Sequence, residues 1–216
     1  MKDIVIYGAG GFGMEVAWLI EDINQKALLW NLLGFLDDDR SKWGMEYYGY
    51  RVLGGQDYLA SLSGHVNIAV AIGSPSGRRT VVHSLSRFNV SFPALIHPSV
   101  IMSGSVVVSE GVIMAAGSVL TVEIKIGAHV HIDTSCTIGH ETVIGSYVRL
   151  NPSSSVAGNV ILKDFSYVGS NATIIQGLTI GCNTTIGAGS VVIDDLPDNV
   201  VAVGNPARII HPNKQP

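Results

Sequence analysis

The feature of this sequence that most restricts its fold is a six-residue periodicity, which runs from Ile96 to Pro197 without insertion or deletion. In each of these seventeen units the first residue is Ile, Leu, Val or Met, and the fifth residue is small or aliphatic. A repeat this short cannot bury its apolar side chains alone, so successive units must stack on one another. The sequence therefore predicts a solenoid of short strands over residues 96–197, with inward side chains stacked from coil to coil.

Residues 1–95 show a different pattern, in which short apolar runs alternate with segments of helical periodicity. Strands are predicted over residues 4–7, 32–36 and 66–72, and helices after Gly13 and over 76–88. Between the second and third strands we expect a loop, followed by a short helix over 56–62. Strands that alternate with helices predict a small Rossmann-like parallel sheet, open at the carboxyl ends of its strands. Residues 198–216 follow the last repeat, and we expect them to cap the solenoid.

Composition argues against several functional classes. A net charge of −4 and thirteen scattered Lys and Arg residues argue against nucleic acid as a partner, since phosphate backbones require a basic surface. The two cysteines lack the spacing of a zinc site or of a disulfide framework. No segment approaches 18 uncharged apolar residues, and the first residues lack the apolar core of a signal peptide. We therefore expect a cytoplasmic protein without a membrane span.

A glycine-rich loop follows the first predicted strand and precedes the first predicted helix, with Gly8, Gly10 and Gly13 in G-x-G-x-x-G spacing. Such glycines let a backbone approach a pyrophosphate at a helix N-terminus, which selects the diphosphate rather than a particular nucleotide. A full NAD-binding domain needs about twice as many strand–helix units. A nucleotide-linked substrate is favoured, and a pure packing role stays open. Asp37 and Asp38, which end the second strand, are placed for hydroxyl or base N–H groups.

The pair His140-Glu141 occupies the third and fourth positions of a repeat, where we expect a corner at which side chains leave the solenoid. A neutral imidazole can remove a proton from an attacking amine, and an adjacent carboxylate stabilises the imidazolium that forms. On the residues alone, a surface histidine without a catalytic role is the alternative, as His129 and His131 could be.

Three segments together resemble the hexapeptide-repeat sugar acyltransferases: the YGAGG loop over 7–11, the IGHETV segment over 138–143, and the GNPAR segment over 204–208. This family includes bacillosamine-pathway and perosamine N-acetyltransferases and sialic acid O-acetyltransferases. The resemblance implies a left-handed parallel β-helix with three units per coil. It also implies transfer of acetyl from acetyl-CoA to the amino group of a nucleotide-linked amino sugar. Neither Cys136 nor Cys182 stands beside His140 in the repeat register, so we expect direct transfer in a ternary complex without an acyl-enzyme. A homotrimer and the absence of a metal are further implications.

The resemblance also implies roles for individual residues. His140 would be the general base, Glu141 its carboxylate partner, and Gly158, eighteen residues later, the backbone N–H donor to the oxyanion. The nucleotide sugar would be held by Gly10, Gly11, Phe12, Asp37, Asp38 and Gly73, and coenzyme A by Arg149, Ser170, Ala188 and Pro206. Arg149 departs from the family pattern, since many members have a second histidine nine residues after the base. Arginine can donate a hydrogen bond but cannot act as a base near neutral pH.

Three other functions could be served by a solenoid of this kind. O-acetylation of a sialic-acid-like sugar needs the same general base, so the sequence separates it poorly from N-acetylation. A non-catalytic trimeric module that only binds a nucleotide would not need the His140-Glu141 pair. A metallo-lyase of the γ-carbonic anhydrase type would need two zinc-binding histidines five residues apart, which this sequence lacks.

Overall fold

The computed structural model describes residues 1–62 and 64–213, and it divides into two compact units, Met1–Pro98 and Ser99–Pro216. The first unit holds a sheet with the strand order β3–β4–β2–β1–β5–β6, in which only β3 runs antiparallel to its neighbour. Its elements are β1 (Lys2–Tyr7), α1 (Gly11–Lys26), β2 (Trp30–Leu36), β3 (Glu46–Tyr47), β4 (Tyr50–Gly54), β5 (Val66–Val70), α2 (Pro75–Leu85), β6 (Val90–Ser91) and β7 (Leu95–Ile96). Short 3₁₀ helices span Arg40–Lys42 and Gln56–Ser61.

The three predicted strands of this unit and its two helices are confirmed, because their apolar residues fall on buried faces. In α1, the residues Val16, Ile20 and Ile23 recur at helical spacing and are buried. Helix α2 begins where Ser74 accepts a hydrogen bond from the Gly77 N–H and a proline follows, and it ends at Leu85 rather than at residue 88.

The predicted loop between the second strand and residue 56 is wrong, because this segment contains the hairpin of β3 and β4. Its two-residue turn is formed by Tyr48 and Gly49, with φ angles of 49° and 77°. Positive φ at both positions matches a type I′ turn, for which Asn-Gly is the usual sequence signal. Tyrosine at the first turn position conceals that signal.

The second unit is a stack of two-residue strands in which each strand pairs in parallel with the strand eighteen residues later, as Val119 does with Thr137. Three units therefore make one coil, and the predicted left-handed parallel β-helix is confirmed. The strands are β8 (Ile101–Met102), β9 (Val107–Val108), β10 (Ile113–Met114), β11 (Val119–Leu120), β12 (Lys125–Ile126), β13 (His131–Ile132), β14 (Thr137–Ile138), β15 (Val143–Ile144), β16 (Arg149–Leu150), β17 (Ser155–Val156), β18 (Ile161–Leu162), β19 (Tyr167–Val168), β20 (Thr173–Ile174), β21 (Thr179–Ile180), β22 (Thr185–Ile186) and β23 (Val191–Val192). An antiparallel pair, β24 (Val200–Val203) and β25 (Arg208–Pro212), follows them.

The six-residue pattern sets both the core and the corners of this unit. The first residue of every repeat from Met114 to Val192 is buried, and the fifth residue fills the interior beside it. The fourth residue of every repeat from Gly111 to Gly189 has a left-handed backbone, with φ between 52° and 80°. These left-handed residues turn the chain from one flat side to the next. The third and fourth positions, which include His140 and Glu141, consequently lie at corners.

No helix within residues 1–62 and 64–213 has the length and apolar character needed to cross a membrane.

Candidate active site

His140 lies at the corner between β14 and β15, and its ring is fixed by the next residue. The Nδ1 atom lies 3.0 Å from Oε2 of Glu141, and the two side chains are 48% and 65% exposed. An ionised carboxylate only accepts hydrogen bonds, so Nδ1 must carry the proton of the neutral imidazole. The lone pair is then on Nε2, which is the atom available to receive a proton from an attacking group.

Gly158 lies one coil beyond His140, and the imidazole ring covers its Cα. A Cβ atom placed on Gly158 would lie 2.5 Å from Nε2 and 2.6 Å from Cε1 of His140. The ring can hold this position only because residue 158 has no side chain. The Gly158 N–H has no acceptor among residues 1–62 and 64–213. The predicted base and the predicted oxyanion donor are therefore neighbours at one corner.

The glycine-rich loop of the first unit has two kinds of glycine. A Cβ on Gly8 would meet Ala71 O at 2.8 Å, and one on Gly13 would come within 2.0 Å of Gly8 O, so these two glycines are required by packing. A Cβ on Gly10 or Gly11 would meet no atom within 4 Å, and both residues are exposed. The open pair stands at the N-terminus of α1, where no side chain caps the helix. Their backbone is accessible to an anionic group.

The carboxyl ends of β1, β2 and β5 meet at one edge of the sheet, as expected for neighbouring parallel strands. Gly8 N donates to Leu36 O at 2.7 Å, and Ala71 N donates to Tyr7 O at 2.8 Å. This edge collects six of the predicted site residues: Gly10, Gly11, half-buried Phe12, Asp37, Asp38 and half-buried Gly73. The strand order reverses across β1, which is where ligands bind in open α/β sheets.

Asp37 connects the ends of β1 and β2 through its carboxylate. Oδ2 accepts from the Ala9 N–H and from Lys42 Nζ, each at 2.9 Å, and Oδ1 accepts from the Asp39 N–H at 2.9 Å. Partial burial opposes ionisation, but these donors prevail and lower the pKa of Asp37 below its ordinary value of 3.8. These contacts indicate that Asp37 fixes the position of the glycine-rich loop.

Asp38 differs from Asp37, since it is exposed and has a buried partner that the sequence analysis missed. The phenol of Tyr7, at the end of β1, donates to Asp38 Oδ1 at 2.5 Å. Burial first, and then the hydrogen bond to Asp38, raise the pKa of Tyr7 and keep the phenol neutral. The Trp43 indole donates to Asp37 O at 2.8 Å and also borders this edge. Asp38 is consequently held in place and still exposed to a ligand.

The predicted coenzyme residues lie away from the corner of His140. Ser170 and Ala188 follow β19 and β22 on a different corner, one coil apart, where Gly189 N donates to Ser170 O. Pro206 is exposed in the turn between β24 and β25. Arg149 lies on a flat side, where Nη2 pairs with Asp133 Oδ2 at 2.7 Å and Nε donates to Asn151. Within one chain, the structure does not bring these residues to His140.

Neither cysteine is placed as a nucleophile, and no metal-binding cluster of three or more His, Cys, Asp or Glu residues occurs within residues 1–62 and 64–213. Cys136 is buried at an inward position, where burial raises the pKa of its thiol. Cys182 follows β21 at another corner, so it does not share the corner of His140.

Comparisons with known proteins agree with this geometry. The PglD N-terminal domain family matches residues 3–85. The GDP-perosamine N-acetyltransferase of Escherichia coli O157:H7 is 30% identical over 211 residues, covering 94% of this chain and 94% of the relative. This chain belongs to the hexapeptide-repeat sugar acetyltransferases.

Solved structures of the same family superimpose on nearly the whole of this acetyltransferase. WeeI from Acinetobacter baumannii AYE has a TM-score of 0.89 and 32% identity, covering 97% of this chain and 100% of that one. A histidine-to-asparagine mutant of perosamine N-acetyltransferase from Caulobacter crescentus, solved with CoA and GDP-perosamine, has a TM-score of 0.88 and 29% identity, covering 97% of each chain. The family and the enzyme class inferred from the sequence are confirmed.

Proposed function

We propose that this sugar acetyltransferase transfers the acetyl group of acetyl-CoA to the amino group of a nucleoside-diphosphate-linked amino sugar. The observation that carries the proposal is the corner at which His140, oriented by Glu141, packs over the Cα of Gly158, whose N–H has no acceptor within residues 1–62 and 64–213. The relatives in Escherichia coli and Caulobacter crescentus carry names that specify GDP-perosamine as acceptor or bound ligand. A GDP-linked 4-amino sugar is therefore the first acceptor to test.

Each part of the corner has a step in the transfer. The acceptor nitrogen attacks the thioester carbonyl carbon while His140 Nε2 takes up the proton that the nitrogen loses. Glu141 accepts from Nδ1–H, which places the lone pair of the neutral imidazole on Nε2, and its charge stabilises the imidazolium that forms. Gly158 N–H donates to the carbonyl oxygen as it becomes negative, and loss of one such donor typically costs about 10²–10³-fold in rate. Collapse of the intermediate expels the coenzyme A thiolate, which is protonated by the imidazolium.

We assign nucleotide binding to the sheet edge of the first unit where the carboxyl ends of β1, β2 and β5 meet. The N–H groups at Gly10 and Gly11 suit a diphosphate, because nothing packs above them and the helix N-terminus is positive. Asp38 offers a fixed carboxylate to hydroxyl or base N–H groups, and Tyr7 holds it. Asp37 acts on the same ligand indirectly by fixing the loop.

We propose that the enzyme acts as a homotrimer, because the predicted coenzyme residues and His140 lie on different corners of one chain. A single site can use both corners only if a second copy supplies one of them. The outer face of the sheet next to the His140 corner carries three exposed apolar side chains, Val107, Val143 and Ile161, at 60%, 40% and 44% exposure, and Lys125 lies between the first two. Covering these apolar side chains would stabilise the assembly. Light scattering should give three times the chain mass of 22.8 kDa at micromolar concentration, and a monomer would contradict the shared site.

The proposed activity is tested with the purified protein, acetyl-CoA and GDP-perosamine. We expect release of coenzyme A thiol and one acetyl added to the sugar nucleotide, as an amide that resists hydroxylamine. An ester, which hydroxylamine cleaves, would indicate O-acetylation instead. Absence of turnover across a panel of nucleotide-linked amino sugars, together with binding of those nucleotides, would favour the non-catalytic module.

A further inference from the structure

The corner that holds His140 continues for another coil, and the residue stacked beyond Gly158 is Gln176. The coils are in register here, since Asn159 N donates to His140 O at 2.6 Å and Gly177 N donates to Gly158 O at 3.1 Å. Successive coils lie about 4.8 Å apart, the spacing of paired strands. His140 leans toward this side of the corner, because its Nε2 and Cε1 atoms are the ones that cover Gly158. The proton acceptor therefore lies on the side of the corner that leads to Gln176.

Two other corner residues show where the N–H of a third-position residue can donate. Ser146 N donates to Asp164 Oδ1 at 2.8 Å, and Asp164 occupies the equivalent position one coil later. Cys182 N donates to Asp198 Oδ1 at 2.8 Å, and Asp198 lies sixteen residues later, just after the last repeat. An oxygen near the next side chain along the corner is thus within reach of such an N–H. For Gly158, the next side chain is that of Gln176, a carboxamide that can itself donate.

Gln176 is exposed, and its carboxamide has no hydrogen-bond partner among residues 1–62 and 64–213. The corner beside it is open, since a Cβ on the following Gly177 would meet no atom within 4 Å. The Gln176 carboxamide therefore lies one coil from the Gly158 N–H, and neither group has a hydrogen-bond partner within the described residues. Together they are suited to bind a ligand atom placed between them.

We propose that the Gln176 carboxamide N–H is a second donor to the thioester oxygen, beside the Gly158 N–H. This inference rests on the proposed acetyl transfer. When the amine nitrogen bonds to the carbonyl carbon, the π electrons of C=O move to the oxygen, and both donors face the resulting negative charge. The proton leaves the nitrogen for His140 Nε2, the C–S bond breaks, and the thiolate takes that proton. Gln176 neither gains nor loses a proton in the step.

The test compares Gln176→Leu and Gln176→Glu with the wild-type enzyme in acetyl transfer to GDP-perosamine. Leu removes the donor, whereas Glu keeps the shape and places a negative charge beside the developing oxyanion. We expect kcat to fall about 10²–10³-fold in both variants with little change in either KM, since the donor acts on the transition state. Glu110→Leu, at an exposed third position of another corner, is the matched control and should keep normal kcat.

The outcomes separate the inference from the proposed function. Wild-type turnover with kcat of both Gln176 variants within threefold of normal would overturn the inference and leave the acetyl transfer standing. A raised KM for the nucleotide sugar with unchanged kcat would also overturn it, because it would make Gln176 a ground-state sugar contact. Lack of wild-type turnover would instead count against the proposed function. If Gln176→Leu does not fold by circular dichroism, the near-isosteric Gln176→Glu decides the matter.

Discussion

Replacing Gly158 by alanine should displace the catalytic ring without disturbing the fold. The new Cβ would lie 2.5 Å from His140 Nε2, whereas an ordinary carbon–nitrogen contact needs about 3.5 Å, so the ring must move by about 1 Å. The backbone at Gly158 is not left-handed, and the half-exposed ring is free to swing outward. A displacement of about 1 Å from the productive geometry typically costs about 10²-fold in rate. We expect kcat to fall by that factor, with the KM values for both substrates nearly unchanged.

The measurement is steady-state acetyl transfer, accompanied by thermal unfolding of the variant. Gly104→Ala is the matched control, since Gly104 occupies the third position of the same corner and an added Cβ there would meet no atom within 4 Å. The alanine at 158 keeps its backbone N–H, so the change tests the ring position and not the oxyanion donor. A Gly158→Ala enzyme with kcat within threefold of normal would refute the placement of the base over residue 158.

Three further predictions concern the nucleotide edge and the path of the acetyl group. Asp37→Asn should raise the KM for the nucleotide sugar and leave the KM for acetyl-CoA unchanged, because it weakens the contact between Asp37 and the Ala9 N–H that fixes the glycine-rich loop. A raised KM for acetyl-CoA instead would mean that this edge of the sheet is assigned to the wrong ligand. Folding lowers the pKa of Asp37 below 3.8, so the ionised carboxylate stabilises the folded state above that pH, and this stabilisation is lost as the pH falls further. The difference in Tm between Asp37→Asn and the wild type should therefore disappear below about pH 4. Cys136→Ala should leave turnover unchanged, because its thiol is buried; acetylated Cys136 trapped by mass spectrometry would contradict direct transfer.

The solenoid could be predicted from the sequence because its information is local and repeated. Within each six-residue unit, the apolar first residue and the small or aliphatic fifth residue mark the inward positions. The left-handed fourth residue recurs at every corner from Gly111 to Gly189. The stacking of His140 over Gly158 followed from the eighteen-residue coil that the family resemblance implies. A fixed register thus converts sequence spacing directly into spatial neighbours.

The nucleotide edge was less predictable, because its contacts join residues distant in the sequence. Tyr7 and Asp38 meet across 31 residues through the pairing of β1 and β2, and nothing near Tyr7 in the sequence indicates this contact. The two roles within the glycine-rich loop were hidden for the same reason. Only the packing of Gly8 and Gly13 against the backbone shows that Gly10 and Gly11 are the glycines left open.

The central claim is that His140 accepts the proton as the acceptor amine attacks the thioester, and His140→Ala tests it most directly. Positioned general-base catalysis typically contributes about 10²–10⁴-fold, so kcat for acetyl transfer should fall at least 10²-fold. The acetyl-CoA KM should change little, because the coenzyme residues proposed here lie on another corner. A His140→Ala enzyme that acetylates the amino sugar at a near-normal kcat would contradict the account.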